Sequence, residues 1–166
     1  MARQTPGNNA RLLNVIRIMI WKPHMTVAAL IENEGRFLMV QERISGKSVY
    51  NQPAGHLEDN ETLVDAAIRE TREETAWHFE PQSVSGIYHW RHPEKDMTFI
   101  RVSFAGKGLF HDPACELDSC IERTLWMTPD ELRQQPDRLR SPMVLRSIDD
   151  YLAGSCYPLS LLTSLD

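Results

Sequence analysis

The residues most capable of chemistry lie between Gly55 and Trp77, where carboxylates are crowded. This stretch carries seven of them against two arginines: Glu58, Asp59, Glu61, Asp65, Glu70, Glu73 and Glu74, with Arg69 and Arg72. Glu70, Glu73 and Glu74 stand at positions i, i+3 and i+4, so on a helix they share one face. Like charges at this spacing destabilise an isolated helix by roughly 0.2–0.5 kcal/mol per pair. A charged helical face is most often simply solvated, but a divalent cation bound by these oxygens would offset the repulsion.

The surrounding residues predict the helix and the loop that would position these carboxylates. Thr62 followed by Asp65 is typical of a helix N-cap. An apolar-to-neutral stripe lies on the side opposite the glutamates and consists of Val64, Ala67, Ile68 and Thr71. The loop before the helix, residues 51–56, contains Pro53, which stiffens it, and Gly55, which permits a turn or a close approach. The sequence therefore predicts a rigid loop beside the acidic face of a half-buried helix.

The spacing across the whole stretch resembles the signature of the Nudix hydrolases, G-x5-E-x7-R-E-U-x-E-E-x-G-U, in which U is a bulky aliphatic residue. The corresponding positions are Gly55, Glu61, Arg69, Glu70, Thr71, Glu73, Glu74, Ala76 and Trp77, and six of the seven fixed positions match. Ala76 replaces a glycine that often ends the helix in a left-handed conformation. That conformation costs an alanine roughly 1–2 kcal/mol, so we expect the helix to end differently. Thr71 replaces a buried aliphatic residue, and we expect its hydroxyl to donate to a carbonyl one turn earlier.

The resemblance implies a metal-dependent site with these glutamates as ligands. Family positions assign the metal to the carboxylates of Glu70, Glu73 and Glu74 and to the carbonyl of Ala54. Mg²⁺ is the expected cation, with Mn²⁺ as the alternative, because Mg²⁺ prefers carboxylates, waters and phosphate oxygens. The catalytic residues are then expected among the three glutamates and Glu122. The general base stays open between Glu73, Glu74 and Glu122, and Glu122 is equally well interpreted as an ordinary carboxylate at a strand edge.

Other residues are expected to support the glutamates or to contact the substrate. Arg69 lies four residues before Glu73 and is predicted to hold that carboxylate in place, while Glu61 and Gly55 support the site. The candidate contacts to the phosphates or to the organic part of the substrate are His24, Lys47, Tyr50, His56, Trp90 and Arg101. Each has an ordinary alternative, which is a solvated cation for the lysine and arginine, a hydrogen-bonded spacer for a histidine, and core packing for the aromatic residues.

Further motifs narrow the resemblance to the NudJ-type bacterial phosphatases. They are Lys22–His24, Asn51–Glu58, Leu139–Pro142 and Tyr157–Leu159. Members of that subfamily hydrolyse nucleoside tri- and diphosphates with release of orthophosphate, and also the pyrophosphates of thiamine and of its hydroxymethylpyrimidine precursor. Two alternatives stay open. One is an ADP-ribose pyrophosphatase, because Pro93 lies 16 residues after Trp77; the other is a non-catalytic domain that senses nucleotides.

Composition and charge predict one globular domain and argue against nucleic-acid and membrane binding. The 166 residues are 42% hydrophobic and 25% charged, which suffices for one globular domain with a core. A net charge of −5 without a long basic run argues against nucleic-acid binding, and the apolar part of residues 11–20 is too short to cross a membrane. The three cysteines cannot all pair, which is typical of reduced thiols in a cytoplasmic protein. We expect a monomer or a homodimer.

The resemblance implies a Nudix domain at residues 21–159, which leaves a tail at 160–166 and an extension at residues 1–20 that we expect to be partly disordered or a short helix. Alternation predicts strands at residues 25–31, 36–41, 83–90, 98–106 and 122–127. Besides the acidic helix, we predict one helix capped by Thr128 and one capped by Ser141, each with proline at its first position, the second ending at Gly154. Strands mixed with helices favour an α+β or α/β fold, and the family resemblance implies a three-layer α/β/α sandwich around a mixed sheet.

Overall fold

The computed structural model describes residues 21–165, so the predicted extension at residues 1–20 lies outside the described part of the chain. The strands are β1 (His24–Asn33), β2 (Arg36–Ile44), β3 (Lys47–Asn51), β4 (Ala54–His56), β5 (Trp77–Arg91), β6 (Thr98–His111) and β7 (Ile121–Met127). The helices are α1 (Leu63–Thr75), α2 (Pro129–Arg133) and α3 (Met143–Leu152), with two 3-10 turns at Pro136–Arg138 and Leu159–Leu161.

The strands form one mixed sheet around β1. Its main path runs β3-β2-β1-β6-β5, with β4 paired to β1 and β7 paired to β2. The pairing of β1 with β6 is parallel, from His24 opposite Phe99 to Ile31 opposite Gly106, while the other pairings are antiparallel. The central strand β1 therefore brings the short strand β4, and the loop before α1, to the middle of the molecule.

The sheet is covered on both faces, and each face has its own apolar core. On the α1 side, Val27 and Ala29 of β1 pack with Ala66 and Ala67 of α1. On the other side, Leu30 of β1 belongs to a second cluster with residues of β2, α2 and α3. Alternate residues of β1 thus enter different cores, as the period of two along a strand requires. The prediction of an α/β sandwich with a mixed sheet is confirmed.

The local signals for α1 are also confirmed. Thr62 is the N-cap, and its hydroxyl oxygen accepts the amide proton of Asp65 at 3.1 Å. The Thr71 hydroxyl, buried on the stripe, donates to the Ala67 carbonyl at 2.7 Å, which satisfies its hydrogen-bonding requirement within the helix. In the described residues, no helix combines the length and the apolar composition that a membrane span needs.

The end of α1 differs from its prediction. Ala76 adopts the left-handed conformation, with φ of 59° and ψ of 12°, although it is not glycine. Its amide donates to the Arg72 carbonyl at 2.8 Å, and its own carbonyl accepts the Asp112 amide at 2.8 Å. Strand β5 begins at the next residue, Trp77, so the chain must reverse here, and the tertiary contacts outweigh the conformational cost.

Other boundaries were predicted too short or with the wrong cap. Strands β5 and β6 extend beyond their predicted ends as a two-stranded ribbon. The outer residues of this ribbon include the exposed Leu109 and Phe110, so the alternation of apolar and polar residues does not reveal that these residues form strands. Thr128 and Glu131 form the predicted capping box of α2. Ser141 is not the N-cap of α3, because that helix begins at Met143, and the Ser141 hydroxyl lies buried without a partner in the described chain.

Replacing Ala76 tests how strain and burial balance at the end of α1. In Ala76→Gly, relief of the left-handed strain, about 1–2 kcal/mol, is offset by a lost buried methyl of about 0.8 kcal/mol and by about 0.4–1 kcal/mol of added unfolded-state entropy. The free energy of unfolding in urea should therefore change by less than about 1 kcal/mol. Ala76→Val, which is β-branched, should lose about 2 kcal/mol or more. A valine variant as stable as the wild type would contradict this account.

Candidate active site

Helix α1 directs two of its glutamates towards the sheet. Glu74 is only 6% exposed, and its carboxylate accepts the backbone amide proton of Ala54, the first residue of β4, at 2.8 Å. Glu70 lies one turn earlier and is partly buried beside the next residue of β4, Gly55. The i, i+4 spacing on the helix therefore places both carboxylates against the short strand that β1 holds in the middle of the sheet.

Gly55 leaves the space that the Glu70 side chain occupies. A Cβ built at Gly55 would lie 2.1 Å from the carboxyl carbon of Glu70 and 2.1 Å from one of its oxygens. No side chain fits between the two backbones without displacing that carboxylate. The glycine at this position therefore serves close approach rather than a positive φ, since the left-handed glycines of the described chain are Gly35, Gly46 and Gly154.

Arg69 joins the surrounding carboxylates. Its guanidinium donates to Glu61 at 2.7 Å, to Glu70 at 2.9 Å and to Glu73 at 3.0 Å, and it also donates to the His56 carbonyl at 3.0 Å. The predicted i, i+4 pair with Glu73 is present. The hydrogen bonds from Arg69 hold the pKa of Glu61 below its usual value, and those carboxylates raise the pKa of Arg69. Arg69 thus fixes the orientation of the three acidic side chains.

Burial raises the pKa of both inward-facing glutamates. The pKa of Glu70 is raised by desolvation, against the opposing effect of Arg69. Desolvation raises the pKa of Glu74 to about 9, although the Ala54 amide opposes it, and negative charge on Glu42, Glu70 and Asp118 adds to the rise. Four carboxylates therefore share this region, and two of them, Glu42 and Asp118, come from outside the acidic helix.

Sequence reasoning missed these two carboxylates. Glu42 lies on β2 and is 6% exposed. Its position as a charged residue at the end of a buried apolar strand was the signal in the sequence that could have identified it. Asp118 lies in the loop between β6 and β7, where its amide donates to the Glu73 carbonyl at 3.0 Å. Nothing in the local pattern distinguishes Asp118 from other loop carboxylates, because its proximity to Glu73 arises only from the tertiary fold.

The arrangement fits a hard divalent cation by its chemistry. A buried Glu74 beside three further carboxylates is an all-oxygen donor set with excess negative charge, which a cation would neutralise. Within residues 21–165, however, no three acidic, histidine or cysteine side chains already converge as ligands. Arg69 holds Glu70 and Glu73 in its own ion pairs instead. A cation therefore fits these residues if their side chains turn away from Arg69.

A cavity of about 190 Å³ opens beside Ala54 and Gly55. Its polar wall is formed by Glu42, Arg101, Arg140 and Ser141, and its rim by His56, Trp90, His92, Lys95 and Phe99. Arg101 is 5% exposed, and burial lowers its pKa to about 10. Two guanidinium groups, those of Arg101 and Arg140, therefore line the same cavity as Glu42, beside the residues of β4 that Glu70 and Glu74 contact.

A larger groove of about 720 Å³ runs along β5 beside α3. It shares Trp90 and Met143 with the smaller cavity, and neither of the two is lined by a glutamate of α1. Of these two, we assign the chemistry to the smaller cavity in spite of its size, because it is lined by Ala54 and Gly55, the residues of β4 in contact with Glu74 and Glu70.

The predicted substrate contacts divide into two groups. His56, Trp90 and Arg101 line the small cavity, and His24 lies beside it with its ring centroid 5.5 Å from that of His56. Desolvation lowers the pKa of His56. Tyr50 is instead buried in the core on the α3 side, where the Arg138 guanidinium lies 4.3 Å from the centre of its ring.

Lys47 and Glu122 are not brought to the cavity. Lys47 is exposed at the start of β3. The Glu122 carboxylate accepts hydrogen bonds from the side chains of Gln41 and Ser48, each at 2.6 Å, and forms an ion pair with Arg43. The hydrogen bonds from Ser48 and Gln41 lower the pKa of Glu122 to about 2. Gln41 and Arg43 alternate with Glu42 along β2, so Glu122 lies on the opposite face of that strand from the glutamates of α1.

Comparison with known proteins identifies the family. The model described as the NUDIX domain matches residues 22–147. The phosphatase NudJ of Escherichia coli strain K12 is 43% identical over 143 residues, which cover 86% of this chain and 92% of that protein, and NudJ of Shigella flexneri has the same identity and coverage.

Solved structures agree with this match. A NUDIX hydrolase from Nitrosomonas europaea superposes with a TM-score of 0.85 at 41% identity, covering 87% of this chain and 98% of that one. A UDP-X diphosphatase shares the fold alone, with a TM-score of 0.68 at 16% identity over 84% of this chain and 67% of that one. The predicted resemblance is confirmed, and the chain is a hydrolase that belongs to the Nudix family.

Proposed function

We propose that this protein is a Mg²⁺-dependent phosphohydrolase that cleaves the phosphoric anhydride bond of nucleoside di- and triphosphates with release of orthophosphate. The observation that carries this proposal is the position of buried Glu74, which lies beside three further carboxylates and against Ala54, a residue that lines a cavity containing two arginines. A polyanionic substrate is repelled by carboxylates unless a cation reverses the local charge. The similarity to phosphatase NudJ supports the same class of reaction.

The chain's own residues would divide the work as follows. Glu70, Glu73 and Glu74, with the Ala54 carbonyl, would hold the cation. Bound Mg²⁺ neutralises phosphate charge and lowers the pKa of a coordinated water. Arg69 holds Glu70 and Glu73 in the metal-free protein and would release them to the cation, while the Ala54 amide fixes Glu74. A carboxylate must accept the proton of the attacking water, and we assign this role to Glu74, Glu73 or Asp118.

Thiamine pyrophosphate and hydroxymethylpyrimidine pyrophosphate belong to the same proposal, because each presents a diphosphate that ends in a free phosphate. Two other functions of the same fold are outcomes of the test. An ADP-ribose pyrophosphatase would release AMP and ribose phosphate. A nucleotide sensor would bind its ligand without turnover.

Product analysis separates these functions. Nucleoside di- and triphosphates, thiamine pyrophosphate and ADP-ribose are incubated with the protein and Mg²⁺ in ¹⁸O-labelled water. We expect orthophosphate from the nucleotides and thiamine pyrophosphate, and the position of ¹⁸O identifies the phosphorus that water attacks. Cleavage of ADP-ribose and of no other compound would overturn the proposal and identify an ADP-ribose pyrophosphatase. Tight nucleotide binding without any Mg²⁺-dependent turnover would instead identify the protein as a nucleotide sensor.

Neutralising single carboxylates tests the assignment of the site. Glu74→Gln and Glu73→Gln should each lower kcat by at least about a hundredfold without unfolding the domain, the usual scale for loss of a positioned catalytic group. Asp118→Asn should lower kcat more than Glu122→Gln, because Asp118 lies beside Glu73 whereas Glu122 is held on the other face of β2. Rates of phosphate release, with circular dichroism as the folding control, measure both effects. A larger loss in Glu122→Gln would reverse this order.

The raised pKa of Glu74 predicts how the metal-free protein responds to pH. The folded state keeps a proton on Glu74 up to about pH 9, whereas the unfolded chain releases it near the ordinary value of 4.5. Stability should therefore fall as pH rises through this window. Urea denaturation with EDTA at about pH 6 and at about pH 8.5 measures the slope, which Glu74→Gln should flatten. Glu80→Gln, on exposed β5, is the matched control and should keep the wild-type slope. An equal slope in Glu74→Gln would show that this carboxylate is not the cause.

A further inference from the structure

Arg101 is a buried cation with incomplete hydrogen bonding. Its guanidinium donates to the Asn51 side-chain oxygen over 3.4 Å, and its Nε makes no hydrogen bond to any residue that the structure describes. A buried charged group normally requires several strong hydrogen-bond partners, because its desolvation costs more free energy than the desolvation of a neutral group. Arg101 lines the small cavity, so a ligand entering there is positioned to supply what the protein does not.

Two neighbouring groups on the same cavity are also unsatisfied. The Ser141 hydroxyl and the Oε1 atom of Glu42 are buried, and neither has a hydrogen-bond partner among residues 21–165. Glu42 Oε1 lies 3.5 Å from Arg140 Nε, an ion pair without hydrogen-bond geometry. The cavity therefore presents donors from an arginine and a serine together with one carboxylate acceptor. A ligand that satisfies all of them must be anionic and must also carry a hydrogen that it can donate.

We propose that Arg101, Ser141 and Glu42 form a subsite for the unesterified terminal phosphate of the substrate, a specificity that rests on the proposed function. A terminal phosphate has a second pKa near about 6, so near neutral pH it exchanges between forms with and without a P–OH group. Its bare oxygens accept from Arg101 and Ser141, and its P–OH donates to Glu42. A phosphate esterified on its far side has no P–OH and leaves the buried Glu42 oxygen facing an anion. The subsite thus selects free over esterified terminal phosphates.

The size of the cavity supports the same assignment. At about 190 Å³ it is smaller than the roughly 300–1,000 Å³ of pockets that enclose whole drug-sized ligands. A phosphate fits, but a nucleoside does not fit with it. The organic half of the substrate then lies outside, past Trp90, where the 720 Å³ groove begins. Selection acts on the phosphate end, and the base meets a wide, open surface.

Phosphate binding without metal tests the subsite directly. In EDTA, inorganic phosphate should raise the Tm of the wild-type protein, because it binds the folded state. Arg101→Met should begin from an equal or higher Tm, since it removes a buried charge with one long hydrogen bond, and should lose the phosphate-dependent rise. The matched control is Arg123→Met, an exposed arginine of β7 bonded to Gln41, which should keep that rise. An identical phosphate-dependent rise in Arg101→Met and the wild type would overturn the proposal.

Turnover of a matched substrate pair provides the second test. ADP is compared with its methyl ester on the terminal phosphate, which replaces P–OH with P–OCH₃ and thereby also removes the second ionisation of that phosphate. We expect kcat/KM to be at least about a hundredfold lower for the ester in the wild type, the scale on which a hydrogen-bonding site rejects an analogue that lacks its group. Glu42→Gln should narrow this ratio, whereas Glu80→Gln should leave it unchanged.

The outcomes separate the subsite from the function on which it rests. Equal turnover of ADP and its ester would remove the subsite and leave the hydrolase intact. Failure to cleave ADP, thiamine pyrophosphate or any other anhydride with a free terminal phosphate would remove the proposed function itself.

Discussion

The hydrogen bond from the Ala54 amide to the Glu74 carboxylate joins helix α1 to the central sheet at the point where both carry functional groups. It holds an ionisable side chain out of water among Glu70, Glu42 and Asp118, so desolvation and like charge both favour its protonated form. Such an arrangement is unfavourable for the isolated domain and persists because α1 is anchored elsewhere, by Ala66 and Ala67 in the core. Apolar packing on one side of the helix therefore maintains an electrostatically strained group on the other.

Two arginines near this point illustrate how partners distinguish a structural cation from one awaiting a ligand. Arg69 donates to three carboxylates and one carbonyl, so its hydrogen-bonding capacity is nearly filled by the protein. Arg101 is more deeply buried yet has one long hydrogen bond. Burial raises the free energy of an unpaired guanidinium far more than that of a paired one. Arg69 thus stabilises the acidic helix, whereas Arg101 raises the free energy of the ligand-free protein.

The parts of the structure that sequence predicted are those set by local spacing. The cap at Thr62, the Thr71 hydrogen bond and the Arg69–Glu73 pair each span three or four residues of one helix, so periodicity suffices to find them. Glu42 and Asp118 reach the same site from a strand and a loop distant in sequence, and only the fold brings them together. The prediction at Ala76 was wrong for a related reason, since the turn into β5 imposes a left-handed backbone conformation that alanine itself disfavours.

Ala54 and Gly55 contact Glu74 and Glu70 of α1 and also line the cavity that contains Arg101 and Arg140. A diphosphate alone would be attracted by Arg101 but repelled by the ionised carboxylates of α1, whereas a cation alone would be attracted by those carboxylates and repelled by Arg101. When both bind, each supplies the charge that the other half of the site lacks, and the buried groups on both sides gain partners at once. Binding of either should therefore favour the other through electrostatics alone, without a change of fold. Gly55 keeps the two halves of the site adjacent, because a Cβ there would overlap the Glu70 carboxylate.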